Sequence, residues 1–346
     1  MSVASTDRAG PHAAPAARNT HVAAEIDALV LGIDVSCRIG NVMYPDHYDR
    51  GWHITGSTGM LGAAAASSRI LKLDAGKTAM ALGIAASQPI GVREQFGSMS
   101  KAFHIGGAAR AGLTAALMAR HGFTASMRAL EAPRGLLQTY SNKCDWNEIS
   151  DGLGDRFEIS LNTYKPFACG IVIHPSIDGC RQLCEAHRLR ADDIEGVDLR
   201  VHPLVLELTG KRTPQTGLEA KFSVYHACAA AILFGQAGEG EFSDAVARRA
   251  DVIALRDRVH ATVDAAIDES AADVTIRCKD GRSLHLKIEH AIGSLQRPLS
   301  DAELERKFQG LVDPVLGADR AARLVDLCRT LADATDVEPL RSAATA

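Results

Sequence analysis

Apolar residues recur every three or four positions in the first part of the chain, a spacing that predicts amphipathic helices. From His21 to Gly40 this stripe consists of Val22, Ile26, Leu29, Val30, Ile33 and Ile39. A second helix is predicted from Gly59 to Leu73, where an alanine-rich run offers only small side chains to its neighbours. Because small side chains let helix axes come close together, we expect tight packing in this region.

Two more helices are indicated by residues that start and end helices. Asp74 is a suitable N-cap for a helix from Lys77 to Ser87, and Pro89 should end that helix. Another small-residue helix is predicted from Ala108 to His121, followed by Gly122 in the left-handed conformation that commonly ends a helix. Residues 22 to about 150 are therefore predicted to be all helical.

The pattern changes to strict alternation near Arg156. Short alternating runs predict strands at Phe157–Leu161 and Val197–Val201. Val274–Cys278 and Ser283–Lys287 flank an Asp-Gly pair, which predicts a β-hairpin. Strands in this order, with helices between them, are typical of an α+β domain.

Those intervening helices are predicted at Ile177–His187 and Glu219–Leu233, and the chain returns to helix after Gly293. Ser300 and Glu303 have the spacing of a capping box, and Asp319–Leu331 repeats the helical pattern. We expect this tail to pack back on the first helices. The predicted fold class is mainly α with an α+β second domain: residues 21–155 and 294–346 form a helical domain, and residues 156–293 form the α+β domain.

Composition and charge exclude several classes of protein. The chain has 346 residues, a net charge of -4 and no cluster of basic residues, so neither a nucleic-acid partner nor an anionic membrane surface is expected. No apolar run approaches the roughly 20 residues needed to span a bilayer. Residues 1–20 are rich in Ala, Ser, Thr and Pro, and we interpret them as a disordered tail rather than a transit peptide.

The eight cysteines include no C-x-x-C pair and follow no apolar leader, which favours reduced thiols in a cytoplasmic protein. Cys180 and Cys184 are one helical turn apart, but no histidine or aspartate lies at ligand spacing. We therefore interpret them as packing residues, and we expect no metal site.

Two glycine-rich segments contain the residues that suggest chemistry. Gly51–Gly59 has the sequence GWHITGSTG, and Gly97–Gly107 has the sequence GSMSKAFHIGG. Glycines allow close approach to a ligand, and one histidine with one lysine suits proton abstraction beside a carboxylate. No phosphate-binding loop, nucleophile elbow or metal-ligand triad accompanies them.

These segments resemble the MmgE/PrpD family. The similar runs are Gly51–Gly56, Gly97–Gly106, Tyr164–Cys169 with His174–Asp178, and Glu219–Tyr225, in family order, and the resemblance covers residues 22 to about 335. It implies a helical domain built from both chain ends, a smaller α+β domain, a homodimer and no cofactor. It also implies proton transfer at a carbon beside a carboxylate of a small di- or tricarboxylate.

The resemblance implies catalytic roles for His53, Lys101 and Lys165. His53 would move the proton, with a histidine packed between helices as the alternative. Lys101 would bind a substrate carboxylate and stabilise the enediolate, unless it is a solvated surface lysine. Lys165, which precedes a proline, would extend into a cleft between the domains.

Four further residues are implied to bind substrate: His104, Tyr225, Cys169 and His174. His104 lies three residues after Lys101 and would either orient that lysine or pack, and Tyr225 would contact substrate or belong to the core. Cys169 and His174 share one loop. Between them stand Ile171, Val172 and Ile173 where relatives often have a basic residue, so the charge or size of the substrate is expected to differ.

The favoured function is that of a 2-methylcitrate dehydratase-like lyase. A cis-aconitate decarboxylase-like or iminodisuccinate epimerase-like enzyme is the alternative, and so is a shortened protein that keeps the fold without turnover. Members of the family usually carry an Asp-rich segment ahead of the helix that begins here at His21. We expect either a shortened member or a second polypeptide that supplies those helices.

Overall fold

The computed structural model describes residues 21–88 and 91–345 of the chain. The predicted disordered tail and the predicted helix stop at Pro89 lie outside the described residues. Within them, no helix is long and apolar enough to cross a membrane.

Seven helices form the first half of the described chain: α1 (His21–Met43), α2 (Asp46–Asp49), α3 (Ile54–Ile70), α4 (Ala75–Ala85), α5 (Ser100–Arg120), α6 (Leu136–Tyr140) and α7 (Asn147–Ser150). Asp74 caps α4 by accepting a hydrogen bond from the Lys77 amide at 2.8 Å, and Gly122 has a φ of 88° after α5, so both helix signals are confirmed. The predicted start of α5 at Ala108 was too late, because the helix runs through Gly106 and Gly107.

Close backbone contact sets the spacing of α1, α3 and α5. A Cβ on Gly62 of α3 would lie 2.4 Å from the carbonyl oxygen of Gly32 in α1. On the other side, a Cβ on Gly112 of α5 would lie 2.6 Å from the carbonyl oxygen of Met60 in α3. Only glycine fits at such positions, so this part of the fold depends on the small residues of the sequence.

The second half of the chain surrounds a four-stranded sheet in the order β2, β1, β3, β4. Its elements are α8 (His174–His187), β1 (Ile194–Val201), α9 (Pro203–Thr209), α10 (Gly217–Ala220), α11 (Val224–Phe234), α12 (Asp244–Ala247), α13 (Ala250–Arg256), β2 (Val259–Val263), β3 (Ala272–Cys278) and β4 (Ser283–Ile288). β1 pairs in parallel with β2 and antiparallel with β3. The β3–β4 hairpin is confirmed, with Gly281 at a φ of 90° in its turn.

Two predictions about this half were wrong. Phe157–Leu161 is not a strand, because residues Glu158–Leu161 form a 3-10 helix. There the Glu158 amide donates to the Asp34 carboxylate at 2.8 Å instead of to a neighbouring strand. The helix predicted at Glu219–Leu233 is divided in two, because Ser223 has an extended backbone and its hydroxyl caps α11. In addition, the sequence pattern did not predict strand β2.

Three helices end the described chain: α14 (Asp301–Leu316), α15 (Ala318–Arg329) and α16 (Glu338–Ala344). Ser300 and Glu303 form the predicted capping box at α14. α14 packs on α15, and the turn at Leu331–Asp333 contacts α1. The division into domains at 155/156 and 293/294 stays a proposal.

Arg38 of α1 connects the two halves. Its guanidinium is buried, pairs with Asp34 at 2.8 Å, and donates to the carbonyl oxygens of Asp151 at 2.9 Å and Arg156 at 2.6 Å. A buried guanidinium is tolerated where most of its donors find acceptors. Residues 151–156 lead from the helical half to the α+β half. These hydrogen bonds hold that segment against α1.

We predict that Gly112→Ala destabilises the protein by about 1–3 kcal/mol, because the new methyl group must displace backbone atoms of α3. Gly106→Ala is the matched control: it lies in the same helix, and nothing stands within 4 Å of its Cβ position. The control should be neutral or stabilising by up to about 1 kcal/mol. Urea unfolding measures both, and equal effects would contradict the close-packing account.

Candidate active site

A cleft of about 1350 Å³ opens between the helical half and the α+β half. Its walls come from the first turns of α3 and α5, from residues 165–172 and 235–241, and from one face of α14. His53, Lys101, Lys165 and Cys169 all line it. Four of the seven predicted site residues, distant in sequence, are therefore brought to one cleft.

Basic side chains outnumber carboxylates in the lining of the cleft. The basic residues are Lys101, Lys165, Arg181, Lys221, Arg306 and Lys307, and the acidic ones are Glu239, Glu241 and Glu303. Lys221 is neutralised by Glu239, with Nζ and Oε1 2.5 Å apart. Among the described residues, Lys101, Lys165, Arg306 and Lys307 have no ion-pair partner. On a chain of net charge -4, this excess of positive charge favours an anionic ligand.

His53 occupies the N-cap position of α3, and its ring lies at the edge of the cleft. Its backbone amide donates to the Gly91 carbonyl oxygen at 3.1 Å. The ring packs edge-on against Phe96, with ring centroids 5.1 Å apart, and its Nδ1 lies 3.0 Å from Nδ1 of His104. Only 4% of the residue is exposed. The backbone and both neighbours therefore hold the imidazole in one place.

The surroundings of His53 favour the neutral imidazole. Burial, followed by repulsion from Lys101 and His104, lowers the pKa of His53 from 6.5 to about 4. The positive end of the α3 dipole acts in the same direction. At neutral pH the uncharged ring can therefore accept a proton.

Aromatic packing supports the segment that carries His53. The indole of Trp52 stacks on the Tyr140 ring with centroids 4.4 Å apart, and the His47 ring stacks on both. Nε2 of His47 is 2.7 Å from the Ser57 hydroxyl, which in turn donates to the His53 carbonyl oxygen at 3.3 Å. The tryptophan beside His53 thus has a structural role.

Lys101 lies in the first turn of α5, and its Nζ is 5.4 Å from the centroid of the Phe96 ring. Burial lowers the pKa of Lys101. Lys165 donates from Nζ to the Cys169 carbonyl oxygen at 3.3 Å, and burial followed by repulsion from Lys101 lowers its pKa as well. Because the two ammonium groups repel each other, an anion bound between them would offset this repulsion and stabilise both charged forms.

Three predicted substrate contacts do not line the cleft. His104 lies behind His53, and His174 packs edge-on against Phe167, with centroids 5.2 Å apart. Tyr225 is buried in the core of the α+β half, where the Arg212 guanidinium lies 4.4 Å from its ring centroid. Their assignment as substrate contacts stays a prediction. Cys169 does line the cleft, and burial raises its pKa to about 12, so it remains a thiol.

Sequence reasoning missed the basic residues Arg181, Lys221, Arg306 and Lys307. Lys221 lies inside the Glu219–Tyr225 run, so its position was available from the resemblance. Arg306 and Lys307 lie on the polar side of an amphipathic helix, where charged residues usually face solvent. Only the tertiary position of α14 brings them to the cleft.

No group of three or more His, Cys, Asp or Glu side chains within the described residues is arranged to hold a metal ion. Cys180 is fully buried, and a hydrogen bond with the Cys228 thiol, followed by burial, raises its pKa. Cys180 belongs to the core of the α+β half, and the partly buried Cys184 packs against that core.

Comparison with known proteins identifies the family. The model for the MmgE/PrpD N-terminal domain matches residues 9–149, and the model for the MmgE/PrpD C-terminal domain matches residues 167–333. The two matches cover most of the chain. The protein belongs to the MmgE/PrpD family, and the fold class predicted from the sequence is confirmed.

Three similar proteins are named for the same activity. A cis-aconitate decarboxylase of Aspergillus terreus is 26% identical over 337 residues, and a cis-aconitate decarboxylase-like protein of Aspergillus oryzae is 25% identical over 334 residues; each match covers 90% of this chain and 69% of the relative. The human cis-aconitate decarboxylase is 25% identical over 304 residues, which cover 84% of this chain and 62% of the human protein.

We predict that His174 makes stability dependent on pH. Burial lowers its pKa in the folded state from 6.5 to about 3, so between these values the unfolded chain binds more protons. Stability contributed by the neutral ring is complete above pH 6.5 and is lost as the pH falls toward 3, at up to about 1.4 kcal/mol per pH unit.

Urea unfolding of the native protein and of His174→Gln at pH 7, 6, 5 and 4 checks this. The native free energy of unfolding should fall more steeply than that of the variant. A constant difference between the two would show that His174 does not titrate in this way.

Proposed function

We propose that this protein is a lyase that transfers a proton at the carbon beside a carboxylate of a small tricarboxylate such as cis-aconitate. The observation that carries the proposal is the position of His53 in the lining of a cleft where Lys101, Lys165 and Lys307 lack ion-pair partners among the described residues. Family membership and decarboxylase relatives support a lyase at the level of the family.

The lysines account for recognition of substrate. Ammonium groups form charge-assisted hydrogen bonds with carboxylates, and partial burial strengthens these bonds. Lys101 and Lys307 both depress the pKa of Lys165, so the three side chains act on a common region of the cleft. Three cations in one region suit three carboxylates better than one or two.

His53 accounts for movement of the proton. As a base, it takes the proton beside a carboxylate, and the C–H electron pair moves into the enediolate, which Lys101 stabilises. In decarboxylation the bond to the departing carboxylate breaks instead. Its electron pair reaches the carbon beside another carboxylate, and protonated His53 supplies the proton there. A bound trianion favours that protonated form, because it opposes the repulsion from Lys101.

Decarboxylation is favoured over the alternatives because the relatives described above are named for it. It converts a trianion and one proton into a dianion and carbon dioxide, whereas dehydration releases water and epimerisation releases neither. Because the released products differ, product analysis distinguishes the three reactions.

The 2-methylcitrate dehydratase-like and iminodisuccinate epimerase-like activities stay predictions, and so does the cytoplasmic location.

The expected homodimer also stays a proposal. α5 exposes apolar side chains on one face, with exposed fractions of 67% for Phe103, 49% for Leu113 and 39% for Leu117. Exposed apolar side chains on one helix face are typical of an interface. Light scattering at micromolar concentration should give twice the chain mass, and a monodisperse monomer would exclude the proposal.

We predict that His53→Gln lowers the rate of carbon dioxide release from cis-aconitate by about 100-fold or more, the usual contribution of a general acid or base. Deuterium incorporation beside the carboxylates, measured by NMR in heavy water with cis-aconitate, methylcitrate and iminodisuccinate, should fall equally. The matched control His121→Gln, at the exposed end of α5, should retain both rates.

No turnover or deuterium incorporation by the native protein with any of these acids would contradict the proposed function. If calorimetry then still detected tight binding of tricarboxylates, the alternative of a carboxylate-binding protein without turnover would be favoured.

We predict that Lys101→Ala, Lys165→Ala and Lys307→Ala each weaken binding of a tricarboxylate by about 1.5–3 kcal/mol, the range for hydrogen bonds to charged groups. For Lys307→Ala the loss should be larger with a tricarboxylate than with a dicarboxylate. Isothermal titration calorimetry measures these affinities. Lys279→Ala, an exposed lysine in the β3–β4 turn, is the control, and an equal loss there would mean nonspecific charge attraction.

A further inference from the structure

His53 and His104 contact each other through the same ring nitrogen. Their Nδ1 atoms are 3.0 Å apart, and both residues are buried, with 4% and 7% exposed. Neutral imidazole carries one N–H, so one Nδ1 must donate and the other must accept. The tautomers of the two rings are therefore coupled: whichever ring carries its proton on Nδ1, the other carries its proton on Nε2.

The structure makes room for this pair of rings. A Cβ on Gly91 would lie 2.4 Å from Nδ1 of His104, so glycine is required where the backbone passes that ring. The Gly91 carbonyl oxygen also accepts the hydrogen bond from the His53 amide. One glycine thus holds the backbone of the first histidine and leaves space for the ring of the second.

The charge in the cleft favours one of the two tautomers. The bond to His104 occupies Nδ1 of His53 and leaves Nε2 as the nitrogen available to the cleft. The positive charge of Lys101 acts on the His53 ring. Phe96 also packs against this ring, but it carries no charge. A cation attracts a nitrogen lone pair and repels an N–H dipole, so the proton is favoured on Nδ1 of His53.

We propose that His104 is a positioning residue: its Nδ1 accepts the Nδ1 proton of His53 and thereby keeps the Nε2 lone pair of His53 directed to the substrate. This inference rests on the proposed function of His53. It concerns the nitrogen on which the proton lies, which no similarity to a relative specifies.

The pair also accounts for the protonated state. When Nε2 of His53 takes a proton, the Nδ1 proton stays between two equivalent nitrogens, and the positive charge is shared by both rings. When Nε2 gives its proton to a substrate carbon, the pair returns to the starting tautomers. Protons balance in both directions, and no group outside the pair is needed.

Two substitutions separate the functions of His104. Asn places a carbonyl oxygen near the position of Nδ1, so His104→Asn can accept from His53 but cannot share the positive charge. His104→Leu can do neither. His121→Asn, at the C-cap position of the same helix and outside the cleft lining, is the control. The probe is the protein labelled with ring ¹⁵N histidine, with His53 assigned by the signal lost in His53→Asn.

Long-range ¹H–¹⁵N NMR of the native protein at pH 7 should show His53 protonated on Nδ1 and unprotonated on Nε2. His104 should be protonated on Nε2 and unprotonated on Nδ1. The tautomer of His53 should persist in His104→Asn and become mixed in His104→Leu. A merely structural role of His104 would leave the tautomer of His53 the same in both variants.

A native His53 protonated on Nε2 would overturn the proposal, as would a His53 tautomer that His104→Leu does not alter. If the variants do not fold, neutron diffraction from native crystals locates the same protons. These readouts need no substrate. The absence of turnover with normal tautomers would therefore count against the proposed function and not against the histidine pair.

Discussion

The close contact between α3 and α5 is the constraint on which the site depends. Gly112 lets the backbone of α5 approach the Met60 carbonyl oxygen of α3, and the two helices then run side by side. His53 at the start of α3 is thereby placed against His104 on α5, one turn from Lys101. A wider spacing would separate the base from its neighbour and from the ammonium beside it.

Charge is distributed to match this geometry. The protein as a whole is weakly acidic, yet most basic side chains of the cleft have no carboxylate partner among the described residues. Their mutual repulsion and partial burial cost free energy in the empty site. A polyanion removes that cost on binding, and it also makes protonation of His53 easier. Binding and proton transfer are therefore linked by the same electrostatic field.

Local signals in the sequence were sufficient for most of the fold and for part of the site. The cap at Asp74, the capping box at Ser300 and the hairpin turn at Gly281 are short-range features, and the structure contains all three. Phe157–Leu161 has the alternation of a strand, but the amide of Glu158 donates a tertiary hydrogen bond to Asp34. Likewise, nothing in the sequence near Lys307 indicates the cleft, because α14 reaches it only through tertiary packing. The bond between His53 and His104 required coordinates, since 51 residues separate the two rings.

A crystal structure of the protein with bound tricarballylate tests the central claim most directly, because this tricarboxylate has no carbon–carbon double bond to receive the electron pair of a departing carboxylate. The account predicts carboxylates within hydrogen-bonding distance of Nζ of Lys101 and Lys165. It also predicts Nε2 of His53 about 3–3.5 Å from a carbon beside a carboxylate, the separation of a group ready to react. A ligand bound away from these residues, or Nε2 of His53 turned from the ligand carbon, would contradict the account.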